Sequence, residues 1–182
     1  HIMFSLMCGM YSYLTEKPEY KILMIGIEES GKTTFLEQSK HIYKPNYKPM
    51  KYPKYMPTIG LNIGRFETSS KKMLLWDLGG QRNLRQIWTK YYSDADALIF
   101  VFDAGSSEER LKEARDCFES AKREIGNCPV LLIANRMKVE SSHSLSEISD
   151  IFLSNIKTDD TLNPCKLFAA SSLTGAGVKE AM

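Results

Sequence analysis

Apolar residues along this chain fall into two periods. Ala97-Leu98-Ile99-Phe100-Val101-Phe102 and Val130-Leu131-Leu132-Ile133-Ala134 are apolar at every position. Runs of that kind are strands covered on both faces, as in parallel sheets. Ile22-Leu23-Met24-Ile25 is a further strand-like run, and Lys166-Leu167-Phe168-Ala169-Ala170 a weaker one. Leu61 to Glu67 and Lys72 to Asp77 read as a strand pair, with Thr68-Ser69-Ser70-Lys71 as its hairpin turn. Pro129 stands at a strand entry, where proline is tolerated. Between the strands the period lengthens to that of a helix. One helix is expected over Phe35 to Lys40 and a second over Glu109 to Ile125, where Ser106 and Glu109 have capping-box spacing. A third runs from Ser144, boxed with Glu147, to about Ile156. Alternating strands and helices imply an α/β fold. The expected architecture is a six-stranded, mostly parallel, doubly wound sheet with flanking helices.

Two stretches stand outside this pattern. His1-Ile2 reads as a cloning remnant before a natural start at Met3. Residues 3–15 place Phe4, Leu6, Met7, Met10, Tyr11 and Leu14 on one face of a short amphipathic helix. Such a helix suits packing on the domain or lying on a membrane surface. No glycine follows Met3, so N-myristoylation is not expected. The main domain is then 16–182. From Lys40 to Met56, prolines at 45, 49 and 53 forbid a helix, and Pro57 continues their spacing. Lysines 40, 44, 48, 51 and 54 interleave there with tyrosines 43, 47, 52 and 55. The first reading is a solvated loop. Anionic lipid or an acidic protein surface comes next, and single-stranded nucleic acid last.

The densest chemical signal follows the first strand. Gly26-Ile27-Glu28-Glu29-Ser30-Gly31-Lys32-Thr33 fits G-x-x-x-x-G-K-[ST], with Thr34 opening a helix. Strand, tight loop and helix N-terminus are the context this motif requires. Backbone N–H groups from Glu29 through Ser30, Gly31 and Lys32 to Thr33 would converge on phosphate oxygens, aided by the helix dipole. Lys32 would reach the β- and γ-phosphates, and the Thr33 hydroxyl would ligate Mg²⁺.

Composition changes this picture little. With 182 residues, one domain with a sizeable core is expected. A formal net charge of +2 exerts no bulk pull toward nucleic acid. Cys8, Cys117, Cys128 and Cys165 form no C-x-x-C pair and read as reduced thiols of a cytosolic protein. The three histidines lack metal-ligand spacing.

Further motifs fall where nucleoside-triphosphate chemistry would use them. Thr58, in Pro57-Thr58-Ile59-Gly60, would close over Mg²⁺. In Trp76-Asp77-Leu78-Gly79-Gly80-Gln81, Asp77 would hold Mg²⁺ through water, the Gly80 N–H would bind the γ-phosphate and Gln81 would orient the attacking water. Asn135-Arg136-Met137-Lys138 ends the fifth strand. Ser171, Ser172 and Leu173 end the sixth. These pieces together resemble the ADP-ribosylation-factor (Arf) family of small GTPases over nearly the whole chain, and within it the Arf-related protein subgroup. The catalytic set is then Gln81, Lys32 and Thr58. The resemblance implies a GTP/GDP switch with Mg²⁺ and slow hydrolysis, peripheral on Golgi membranes from the cytoplasm and acting in vesicle traffic. It also implies an exchange factor, a GTPase-activating protein and effectors as partners, a monomeric state and no nucleic acid. The N-terminal helix and the strand hairpin would move together with nucleotide state. Leu61, Trp76 and Tyr91 occupy the family's effector positions, where Leu61 replaces an aromatic; plain core packing is the competing reading of Trp76 and Tyr91.

Three departures from the family pattern matter. Glu28 and Glu29 put two carboxylates in the phosphate loop, which weakens its positive field unless both point to solvent. Lys138 stands where the family has a base-reading Asp, and Arg136 where it has Lys. A lysine carries only donors and cannot accept from guanine N1–H and its 2-amino group. Asn135, the Arg136 stem and the Ser172 N–H toward O6 would remain for the base. Last, the sequence stops at Met182, where the family's long final helix begins, so a sheet face is expected to be partly uncovered. The competing functions are a non-hydrolysing nucleotide-binding module with degenerate base specificity and a small-molecule kinase. The kinase would need an Arg-rich lid and an acceptor site, and neither is visible.

Overall fold

The computed structural model describes residues 16–48, 57–135, 144–154 and 164–182. The expected helix over 3–15, the later part of the Lys-Tyr-Pro stretch, and Arg136 and Lys138 lie outside the described residues. Six strands form one sheet: β1 (Glu19–Ile25), β2 (Leu61–Glu67), β3 (Lys72–Leu78), β4 (Ala97–Asp103), β5 (Val130–Asn135) and β6 (Cys165–Ala170). Their order across the sheet is β2-β3-β1-β4-β5-β6. Only β2 and β3 pair antiparallel, through the expected hairpin, where Thr68 N donates to Lys71 O at 2.9 Å. The neighbours of β1 are β3 and β4, from which the sheet continues to opposite edges. The crevice at its carboxyl end is therefore the switch point at which open sheets of this kind bind ligands.

Helices cover both faces: α1 (Lys32–Tyr43), α2 (Thr89–Tyr92), α3 (Glu108–Ile125), α4 (Leu145–Leu153) and α5 (Val178–Ala181). The strand period of two divides the core between them. Leu23 and Ile25 of β1 join Phe118 of α3 and Phe152 of α4, whereas Met24 joins Phe35 of α1 and Val178 of α5. Phe102 stacks on Phe152 with ring centroids 4.2 Å apart, and Phe100 lies 5.3 Å from Phe118. Pairs of this type add about 0.5–1.5 kcal/mol beyond their buried area.

Three element boundaries differ from expectation. Helix α1 runs past Lys40 to Tyr43, closed by Lys44 N donating to Lys40 O at 2.9 Å. The break comes there because Pro45 is the first residue that cannot continue the turn. The capping box expected at Ser106 and Glu109 does not form, and Ser107 is the N-cap of α3. Asp103 takes over that turn: Ser106 Oγ donates to its carbonyl at 2.7 Å and Gly105 N to its carboxylate at 3.0 Å. Short polar side chains compete for local backbone groups in this way. The box at Ser144 and Glu147 does form, but α4 ends at Leu153, and Ile156 lies outside the described residues. Among the described residues, no helix is long and apolar enough to cross a membrane.

Candidate functional site

The phosphate-binding motif sits between β1 and α1, at the switch point. Its two fixed glycines are required by space and by backbone angle. A Cβ on Gly26 would come within 2.0 Å of Val101 O, and one on Gly31 within 2.1 Å of Asn135 Nδ2. Gly31 caps α1 at φ 90, a left-handed conformation that side chains disfavour. Lys32 is 6% exposed. Its Nζ donates to Gly26 O at 3.0 Å and Ile27 O at 2.8 Å. No described carboxylate pairs with it. Burial pushes its pKa down to about 8, with the Arg85 charge adding to the effect and Asp77 and Glu28 opposing it. A buried ammonium that faces only carbonyls, beside a helix N-terminus, is a site prepared for an anion.

Glu28 and Glu29 divide between two environments. Glu29 is exposed, at φ 61, and turns to solvent. Glu28 is half-buried, with its carboxylate 3.9 Å from Arg110 Nη1. Arg110 Nη2 also donates to Glu28 O at 2.7 Å, so α3 braces the loop and offsets the nearer carboxylate. Nothing in the local sequence announced Arg110, because it lies 82 positions from Glu28.

Three oxygen-bearing side chains from separate elements meet beside Lys32. Thr33 Oγ1 lies 2.8 Å from Thr58 Oγ1 and donates to Asp77 Oδ2 at 2.8 Å. Gly79 N donates to Gly60 O at 3.2 Å, which extends the β2–β3 ladder to the segment carrying Thr58. Asp77 is fully buried, and its Oδ1 has no hydrogen-bond partner. Burial raises its pKa to about 6 against the pull of Lys32, the Thr33 hydroxyl and the Asn62 side chain on the neighbouring strand. Two hydroxyls and a carboxylate with an orphaned oxygen make an oxygen-only donor set. That chemistry fits a hard cation such as Mg²⁺, which takes a few protein oxygens and completes its shell with water and phosphate. Gly80 is pressed onto the phosphate loop, where a Cβ would meet Gly26 O at 2.4 Å and Glu28 N at 2.6 Å. Gln81 follows it, half-buried, at the start of the 3-10 turn Arg82–Ile87.

On the far side of the loop, Asn135 ends β5 and is 1% exposed. Its Nδ2 donates to Ser30 O at 2.8 Å. Its Oδ1 accepts from Ser172 N at 3.0 Å and Ser172 Oγ at 2.8 Å. The Ser172 N–H, expected to face a base oxygen when nucleotide is bound, donates to Asn135 here. Asn135 thereby ties the phosphate loop to the turn after β6. Ser171 is held in that turn, its N donating to Ala176 O at 2.8 Å, and Leu173 is exposed.

Of the expected effector positions, Trp76 belongs to the core cluster, and Tyr91 packs on it edge to face at 5.4 Å. Core packing thus accounts for much of these two aromatics. Leu61 is 37% exposed, on β2 between Ile59 at 83% and Ile63 at 37%. Alternation along β2 places Leu61 and Ile63 on one side, and Ile59 precedes the strand across Gly60 at φ 87.

Comparison with known proteins follows the same lines. The family model described as "ADP-ribosylation factor family" matches residues 7–182. ADP-ribosylation factor-related protein 1 of Homo sapiens is 41% identical over 180 residues, covering 98% of this chain and 89% of that protein. ADP-ribosylation factor-like protein 3 of Saccharomyces cerevisiae is 36% identical over 183 residues, covering 99% and 90%. A solved structure of the Arl6 BBS3 small GTPase from Trypanosoma brucei, with bound nucleotide analogue GppNp, superposes with a TM-score of 0.71. It is 26% identical, with 90% of this chain and 92% of that chain covered. The doubly wound sheet, the phosphate loop at its switch point and these matches together make the chain a member of the ADP-ribosylation factor family of small GTPases.

Proposed function

We propose that this chain is a GTP/GDP switch that hydrolyses GTP slowly and acts in vesicle traffic on Golgi membranes. The observation that carries the reading is the meeting of Thr33, Thr58 and Asp77 oxygens beside the buried Lys32. Thr58 reaches the site with its segment hydrogen-bonded at the end of β3, Gly79 N donating to Gly60 O, an arrangement a γ-phosphate would stabilise. Thr33, Thr58 and Asp77, the last through water, would hold Mg²⁺, which supplies charge neutralisation at the phosphates. Lys32 exchanges its two carbonyl partners for β- and γ-phosphate oxygens, and that contact raises its lowered pKa. The Gly80 N–H faces the γ-phosphate, and Gln81 positions the attacking water. Both nearby arginines are committed to backbone carbonyls, Arg85 to Gly80 O and Arg110 to Glu28 O. Neither is free to stabilise charge on the leaving phosphate, so hydrolysis is slow until a partner supplies an arginine. Such an arginine is worth roughly 10³–10⁵ in rate. Ile59, Leu61 and Ile63 offer effectors an apolar edge in this arrangement. Exchange factor, activating protein and effectors are the partners, and the segment before residue 16 is the membrane contact.

Mass spectrometry of nucleotide extracted from the purified protein, before and after incubation with GTP, tests the reading. The expected result is bound guanine nucleotide with slow conversion of GTP to GDP. Persistent GTP with no conversion would make the chain a non-hydrolysing binding module. Absence of any nucleotide, even after loading, would refute the switch.

A further inference from the structure

The two glycines before Gln81 have both carbonyls held by side chains from the next turn of chain. Trp88 Nε1 donates to Gly79 O at 3.0 Å, and Arg85 Nε donates to Gly80 O at 2.9 Å. Trp88 is buried in the core, which fixes its indole. A trans peptide points its C=O and N–H in opposite directions. Holding the Gly79 carbonyl therefore aims the Gly80 N–H, and holding the Gly80 carbonyl aims the Gln81 N–H. Glycine peptides have no Cβ to restrict them, so their orientation must come from such partners.

Arg85 is itself anchored. Its Nη2 donates to Glu113 Oε1 at 2.9 Å and its Nη1 to Cys117 Sγ at 3.0 Å. Glu113 and Cys117 are one helical turn apart on the same face of α3. Both Arg85 and Glu113 are largely buried, so their ion pair is poorly screened. Arg82 donates to the same Glu113 oxygen at 3.1 Å, but its side chain is 78% exposed and stands on the rim.

We propose that Trp88 and the Arg85–Glu113 pair are positioning residues that aim the Gly80 and Gln81 amides, and so make the protein hold a nucleoside triphosphate more firmly than a diphosphate. The proposal rests on the reading above of the Gly80 N–H as the γ-phosphate contact. A diphosphate needs only the loop amides from Glu29 to Thr33 and Lys32. None of those groups is hydrogen-bonded to Trp88, Arg85 or Glu113 among the described residues. Arg85 reaches Lys32 only as a charge, and Trp88→Phe and Glu113→Gln leave that charge in place, so loosening the clamp is felt chiefly by the third phosphate.

The test is stopped-flow release of fluorescent GDP and fluorescent GppNHp from wild type, Trp88→Phe, Glu113→Gln and Arg82→Ala. Trp88→Phe removes only the indole donor. Glu113→Gln keeps an acceptor and leaves the Arg85 charge in place. Losing one such hold should speed triphosphate-analogue release about tenfold, while GDP release changes less than about twofold. Arg82→Ala should leave both rates as they are. A purely structural role would speed both releases together, and that result, like no change in either, overturns the proposal. If Trp88→Phe does not fold, Glu113→Gln decides the matter alone. A wild type that retains GDP but never binds the analogue, or binds neither nucleotide, sinks the switch reading itself and the clamp with it.

Discussion

Replacing Asn135 with alanine should destabilise the fold by about 2–4 kcal/mol, most of it from two stranded backbone groups. Asn135 makes three buried hydrogen bonds: to Ser30 O at 2.8 Å, from Ser172 N at 3.0 Å and from Ser172 Oγ at 2.8 Å. Truncation leaves the Ser30 carbonyl and the Ser172 N–H without their partner. Each buried group stranded in this way costs about 1–3 kcal/mol. The Ser172 hydroxyl rotates and contributes little. The Asn135 amide fills the space against Gly31, where a Cβ would meet its Nδ2 at 2.1 Å. Its removal opens a polar gap that water can enter, which recovers part of the loss. In a domain of this size each kcal/mol lowers Tm by about 2–4 °C, so a drop of about 5–15 °C is expected. Thermal unfolding by circular dichroism, at fixed protein concentration and without added nucleotide, measures it. Ser172→Ala is the internal standard, since it removes only the Oγ bond and should cost about 1 kcal/mol. If Asn135→Ala melts no lower than Ser172→Ala, Asn135 does not tie the phosphate loop to β6, and the reasoning fails.

Four further expectations follow from the same site. Gln81→Leu should abolish partner-stimulated hydrolysis and leave GDP affinity intact; single-turnover assays with an unchanged stimulated rate would remove Gln81 from its role. Burial holds Lys32 at about 8 in the free protein, and bound phosphate would raise that value. Nucleotide binding should therefore take up protons near pH 8, and affinity should fall as pH rises above it; calorimetry in buffers of different ionisation enthalpy would show no uptake if Lys32 stays off the phosphates. With Lys138 unable to accept from guanine, discrimination among GDP, ADP, XDP and IDP should be weak, and Lys138→Asp should sharpen it; a wild type that already prefers GDP a thousandfold, unimproved by Lys138→Asp, contradicts this. Liposome flotation should show weak binding that needs anionic lipid and fades with salt, because a short apolar face alone gives marginal attachment; tight binding to neutral vesicles would refute it.

What the sequence determined by itself is what short-range physics controls. Gly26, Gly31, Lys32 and Thr33 lie within one strand–loop–helix unit, so spacing alone located the phosphate loop. Unbroken apolar runs marked β4 and β5 as strands covered on both faces, and alternation with helical periods implied the doubly wound sheet. Local reasoning failed where two local solutions competed, as at Ser106, where Asp103 captured the residue that was expected to cap a helix. The tertiary structure decided how distant pieces meet. Thr58 reaches Thr33 across 25 positions, Asp77 across 44, and Asn135 reaches Ser30 across 105. Sheet order and strand register bring them together, and a slip of one residue would turn Asp77 to the opposite face. No local pattern encodes that register. The same holds for Trp88, Arg85 and Glu113: an indole, a guanidinium and a carboxylate are ordinary surface or core residues in sequence. They acquire a role only when folding sets two glycine carbonyls and one face of α3 within hydrogen-bond reach of one another.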